Sequence, residues 1–248
     1  MAIGVVLVGL GYSVWQRDPQ LQLVRRQAPL QVVQPGLAPQ PPLSALPTDF
    51  VLDRSKEPIL FSQLDAGDRD WQPRAVPIPG GGTRYTYKHV AGDPPLSLDQ
   101  IKALILSPPT FAAERNAISQ LLRELRLAGA QVVLGQPRKQ GAAGEWEPRR
   151  RMLRIRPDVP GKGSREFARV LNHEAIHVAQ SCRNGSVQAM PALLGISRAV
   201  DPRQLRNLAA PIYANASPRE RALEEEAYAN QGDLSQGLRG LLMYCRGR

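Results

Sequence analysis

Histidine and cysteine are both scarce in this chain, with three and two copies in 248 residues. Two cysteines cannot build a cysteine-based zinc site alone, so metal chemistry must draw on histidine and carboxylate. Aromatic residues make up only 5% of the sequence. No zinc-finger spacing and no aromatic-rich basic stripe occurs, so specific nucleic-acid binding is not expected. The triplet Gly80-Gly81-Gly82 lacks a following Gly-Lys-Ser/Thr and reads as a turn, not a phosphate loop. Acidic residues number 22 against 32 Lys and Arg. The resulting net charge of +10 suits attraction to anionic surfaces, or simply keeps the chain soluble.

Hydrophobic residues make up 42%, enough for the core of one medium domain with appendages. The apolar run Ala2–Trp15 is shorter than the roughly 20 residues of a membrane span and suits a signal segment or short anchor. Residues 1–16 are therefore read as that segment, 17–48 as an extended Pro/Gln-rich linker, and 49–248 as the folded domain. Membrane association through the first segment is expected, with the domain anchored or exported to a periplasmic, lumenal or extracellular side. Arg17, Arg25 and Arg26 pull the other way under the positive-inside rule. Cys182 and Cys245 are either a disulfide tying the last helix to the helix before Cys182, or two free thiols. Export favours the disulfide.

Along the domain, residues 49–79 show no sustained period and read as an irregular wrap. Thr83–Val90 is a strand candidate. Ser97 caps a helix through Leu106, and Phe111–Leu127 is a long amphipathic helix ended by Gly129. Gln131–Leu134 is a short strand and Glu145–Arg156 a second strand region. Arg149, Arg150, Arg151, Arg154 and Arg156 load that region with charge and read as solvated or edge-protecting. Ser164 offers an N-cap to a helix whose Phe167, Val170, Leu171 and Val178 share one face. The fold class is α+β, mostly helical, with a small sheet.

Two of the three histidines stand in His173-Glu174-Ala175-Ile176-His177. On a helix, residues four apart project from one face, so both imidazoles can reach one metal ion, with Glu174 beside it. They fall at the border of the apolar face, which puts a metal at the floor of a cleft. A third ligand is needed. The other histidine, His89, lies far upstream. Downstream, Ser217-Pro218-Arg219-Glu220 is a helix start with an N-cap, Pro at N1 and a capping-box Glu. That helix carries Glu224, Glu225 and Glu226, which point about 100 degrees apart. One or two can face a metal, and the rest read as solvated. Asn172 and Gln180 can support the ligands or lie on the surface.

The pairing of a His-Glu-x-x-His helix with a helix carrying Glu-x-x-Ala resembles the gluzincin zinc metallopeptidases in their short, minigluzincin form. The resemblance covers roughly residues 145–231. It implies a zincin-like domain with Glu224 as third zinc ligand, leaving Glu225 and Glu226 as alternatives, and Ala227 as the small residue. Tyr228 departs from the pattern, standing where an acidic residue often orients a ligand histidine. The resemblance also makes the strand before the metal helix the rim of the cleft, where an extended peptide adds as a strand.

The function expected from these residues is a zinc-dependent hydrolase of peptide or protein substrates. His173, His177 and Glu224 hold Zn²⁺, and Glu174 is general base to an activated water. Tyr213, Tyr228 and His89 are candidate donors to the oxyanion. The alternative is a membrane-tethered binding or scaffold domain that keeps the fold without catalysis. Glu174 argues against that alternative, because a purely structural metal has no use for a base.

Overall fold

The computed structural model describes residues 45–88 and 94–246. The N-terminal apolar run, the Pro/Gln-rich stretch as far as Ser44, and His89 lie outside the described residues. In chain order the elements begin with β1 (Phe50–Val51), α1 (Glu57–Arg69), β2 (Arg74–Pro77) and β3 (Thr83–Thr86). They continue with α2 (Leu98–Leu106), α3 (Ala112–Leu127), β4 (Gln131–Leu134), β5 (Gly144–Glu147) and β6 (Met152–Ile155). The C-terminal part is helical, with α4 (Ser164–Arg183), α5 (Pro202–Leu208), α6 (Pro218–Asn230) and α7 (Gln236–Tyr244). The fold is α+β. Among the described residues no helix is long and apolar enough to cross a membrane.

Four strands form one sheet in the order β1-β4-β6-β5, and β2 pairs with β3 in a separate hairpin. β4 and β6 run parallel, while β5 lies antiparallel to β6 at the sheet edge. Val132, Leu134, Leu153 and Ile155 meet Ile118, Leu121, Leu122 and Leu125 of α3 and Phe167, Leu171, Ala175 and Val178 of α4 in one core. Helix α4 is the axis of the domain. Every residue from Val170 to Cys182 is buried, so it has no solvent face along its second half. The two histidines are thus deeper than a border position on an amphipathic helix implies.

A buried helix start needs partners for its free N–H groups. Asp68 of α1 supplies them: it accepts from Ser164 N at 2.6 Å and from Ser164 Oγ at 2.7 Å. Ser164 is therefore the first helical residue, behind Gly163 at φ 98, and not the cap itself. The other end of α4 is tied to the C-terminus by a disulfide between Cys182 and Cys245, with Cα atoms 5.1 Å apart. α7 lies close along α4 because Gly237 faces Asn172. A Cβ there would come within 2.6 Å of Asn172 Oδ1.

The expected helices at Ser97, Phe111 and Ser217 form, the first and last with complete capping boxes. Three expectations change. The stretch 49–79 contains β1 and α1, whose buried residues are only Leu60, Leu64, Gly67 and Asp68, too sparse a stripe to read as a period. Glu145–Arg156 is two strands joined by a tight turn with Arg151 in the left-handed region at φ 54. Arg154 is neither solvated nor on the edge. It is buried on β6 and binds Asp49 through Nη1 at 2.7 Å and Glu147 through Nε at 2.8 Å.

The disulfide closes a loop with a sequence separation of 63. Chain entropy alone assigns such a closure about 4 kcal/mol. Reducing it, or replacing both cysteines by alanine, is expected to lower the unfolding free energy from urea titration by that order, with an unchanged far-UV spectrum when folded.

Candidate metal centre

Helix α4 holds His173 and His177 one turn apart, and α6 crosses it with Glu224 facing them. The two Nε2 atoms are 3.2 Å apart, and Glu224 Oε2 lies 3.3 Å from His173 Nε2 and 3.5 Å from His177 Nε2. Ligand atoms 2.0–2.2 Å from a tetrahedral zinc are separated by about 3.3–3.6 Å. The triangle has the size such an ion requires, without movement of the chain. Among the described residues no fourth His, Cys, Asp or Glu joins the group. A metal held there would keep a position open to the cleft. The group suits a divalent ion that accepts imidazole and carboxylate.

The three glutamates of α6 have three fates. Glu224 faces the histidines. Glu225 is half-exposed and 3.7 Å from Arg198. Glu226 is fully buried, away from the triangle, and so is not solvated as its setting in a run of acids suggests. It accepts from the backbone N–H groups of Leu194, Gly195 and Ile196 and from Gln180 Nε2. Gln180 is not a surface residue either. Its Oε1 meets His177 Nδ1 at 2.8 Å. Behind the other histidine, His173 Nδ1 meets Gln231 Oε1 at 3.2 Å. Asn172, also buried, donates to the carbonyls of Gln231 and Asp233 and accepts from Gly237 N. The i,i+3 spacing of His177 and Gln180 is visible in sequence. Nothing local marks Gln231, which reaches the site only through the packing of α6 on α4.

Glu174 is 4% exposed and forms no hydrogen bond or ion pair with the described residues. Burial raises its pKa, with the Glu224 and Glu145 charges adding to the shift while His173 and His177 oppose it. A carboxylate in that condition is poised to take a proton. It lies against Gly144 of β5, where a Cβ would come within 2.6 Å of Glu174 Oε1. Two hollows of about 240 and 180 Å³ meet at this point, sharing Ala142, Gly144, His173, Glu174 and Tyr213. One is walled by Val170, Ala210 and Tyr228, the other by Trp146, Met190, Pro191 and Leu223. Trp146 also ties β5 to α4 by donating to Ser181 Oγ at 2.9 Å.

Tyr213 and Tyr228 both reach the centre. The Tyr213 hydroxyl donates to Glu224 Oε2 at 3.1 Å and lies 3.3 Å from the Tyr228 hydroxyl. Tyr228 packs edge-on against His173 with ring centroids 4.6 Å apart. Burial and the Glu224 charge push the Tyr213 phenol far above its usual range, so it stays a donor. Burial pushes Tyr228 upward as well. Burial favours neutral Glu224, but His177 and His173 prevail and hold its carboxyl far below the usual range. Burial likewise opposes a charge on His177, yet Glu224 beside it raises that imidazole to about 9.

Compared with family models, curated proteins and solved structures, the chain shows no match to any of them.

Two outcomes follow from this geometry. Without metal, His177 holds its proton up to about pH 9, and a ligating imidazole must be neutral. Metal uptake near pH 7 should release about one proton from this ring, and affinity should rise about tenfold per pH unit until pH 9. Calorimetry in buffers of different ionisation enthalpy measures both. Gly144→Ala should displace the Glu174 carboxylate and leave the metal triangle intact. Divalent-metal uptake, measured by chelator competition, should then match that of the unmodified chain.

Proposed function

We propose that this chain is a zinc-dependent hydrolase, and specifically a metallopeptidase of gluzincin type. The observation that carries the reading is the unpaired, buried Glu174 standing beside a triangle of zinc-sized spacing. A structural site closes with four protein ligands and needs no base next to it. Zinc held by His173, His177 and Glu224 would supply Lewis acidity, lowering the pKa of a water toward about 7 and polarising a carbonyl.

The chain's own groups do the rest. Glu174 takes the proton of the attacking water and returns it to the leaving amine nitrogen. Glu174 lies at the junction of the two hollows beside both histidines, where one carboxylate can serve both transfers. Tyr213, protonated and at the junction of both hollows, would donate to the developing oxyanion by turning its one O–H away from Glu224, with Tyr228 as the neighbouring candidate. β5 offers the free edge of the sheet along the cleft, and an extended peptide can pair with it. The two hollows then receive side chains from either side of the scissile bond. The Cys182–Cys245 disulfide supports an oxidising compartment. With the N-terminal apolar run, it favours an exported or membrane-anchored enzyme.

The purified chain should bind close to one zinc, and His173→Ala should abolish that uptake. Glu174→Gln should keep the zinc and lose about 10²- to 10⁴-fold of the hydrolysis of a mixed peptide library. Unchanged hydrolysis in that variant would sink the base role.

A further inference from the structure

From the hydrogen bonds behind the metal triangle we infer that Glu226 is a positioning residue for His177, acting through the amide of Gln180. The inference rests on the reading that His173, His177 and Glu224 hold a metal. Among the described residues, every hydrogen-bond partner of the Glu226 carboxylate is an N–H donor. Its Oε1 takes the backbone of Gly195 at 2.8 Å and Ile196 at 3.1 Å, and its Oε2 takes Leu194 N and Gln180 Nε2, both at 2.8 Å. So placed, the carboxylate is an acceptor only. Gln180 Nε2 has a second acceptor in the Leu223 carbonyl at 3.3 Å. A flipped Gln180 amide would bring its oxygen against both, so the amide has one orientation. Its own oxygen is then turned to His177 Nδ1 at 2.8 Å.

An acceptor at Nδ1 requires the ring proton there. The lone pair of the neutral ring is thereby placed on Nε2, the atom that faces His173 and Glu224 at 3.2 and 3.5 Å. The other ligand is held differently. His173 Nδ1 meets Gln231 Oε1, and Gln231 Nε2 donates to Gln204 Oε1 at 2.8 Å. Neither amide of that chain is an acceptor only, so the pair can reverse without losing its mutual bond. Of the two imidazoles, His177 is the one whose ligating nitrogen is set by a buried carboxylate. The same carboxylate fixes Leu194–Ile196, just beyond Met190 and Pro191 in the wall of one hollow. Ligand geometry and cleft wall thus share one anchor.

The test uses the full chain with zinc affinity measured by chelator competition, and the ring N–H resonance of His177 in the zinc-loaded protein. Glu226→Gln puts an amide among donors, and flipping Gln180 relieves that clash at the expense of the Nδ1 acceptor. Zinc affinity is expected to fall about 10- to 100-fold, with loss of the hydrogen-bonded Nδ1–H signal. Gln180→Leu should lose as much while leaving the backbone bonds to Glu226 in place, and it carries the test if Glu226→Gln does not fold. The exchanged pair Glu226→Gln with Gln180→Glu restores an acceptor at Nδ1. Affinity and the Nδ1–H signal should return close to those of the unmodified chain. Thermal stability should stay reduced, because Leu194 N–H then faces an amide nitrogen. A purely structural role predicts the opposite, with affinity following stability. The inference is overturned if Glu226→Gln and Gln180→Leu bind zinc as tightly as the unmodified chain. It is equally overturned if the folded exchange variant fails to recover. An unmodified chain that takes up no zinc overturns the metal reading itself, and this inference with it.

Discussion

Desolvation of α4 is the constraint on which the rest of this structure depends. A helix buried on all sides brings its polar side chains out of water, and each unpaired polar group costs about 1–3 kcal/mol, more if charged. Asn172, Gln180 and Ser181 are matched by partners from α6, α7, β5 and the loops between them. Ser164 is matched by Asp68. What remains unmatched are the Glu174 carboxylate and the Nε2 faces of two imidazoles, which share only Glu224 and one another. The leftovers converge on one point, where two hollows meet. Groups of a buried helix that are left unpaired only where they face a cleft are the ones open to a ligand.

The arrangement around α4 follows from that accounting. Its N-terminus is capped from α1, not from its own flank, so α1 must pack there. Its far end is crosslinked to α7, and α7 must carry glycine where it passes Asn172. β5 pairs with β6 at the sheet edge, and at Gly144 the missing Cβ gives the Glu174 carboxylate room. The buried Arg154, gripping Asp49 and Glu147, holds the end of β5 to the centre of the sheet. A buried ion pair of this kind contributes little net stability against an apolar replacement, while losing one partner is severe. Its contribution here is placement of the strand that lines the cleft.

The parts of the site legible in the sequence are those written in local spacing. His173 and His177 are four residues apart, Ser217 and Glu220 form a capping box, and Val132–Leu134 is a continuous apolar run within the short strand. Each depends on neighbours within one turn or one strand. The parts that were not legible depend on partners far along the chain. Asp68 and Ser164 are 96 residues apart, and Arg154 and Asp49 are 105 apart. Arg154 reads as solvated or edge-protecting and Ser164 as a cap in its own right, because nothing nearby in sequence shows the partner of either. Glu226 is the sharpest instance. It stands in a run of three acids on a helix with no hydrophobic stripe, and its burial is decided by a loop some 30 residues upstream whose backbone N–H groups need an acceptor.

That dependence runs in both directions. The 194–196 backbone requires a carboxylate, and the carboxylate requires donors, so α6 is pinned by its buried face with Glu226 inward. Glu224 lies two residues earlier, about 200 degrees around the helix axis. It is turned to the triangle by the same register. A one-residue shift of α6 would bury Glu225 and turn Glu224 away from the imidazoles. The choice among three adjacent glutamates, which spacing alone leaves open, is therefore made by the loop that Glu226 satisfies. Glu224 is set facing the imidazoles by the burial of its neighbour, and the geometry of the triangle follows from a hydrogen-bond requirement on the other side of the helix.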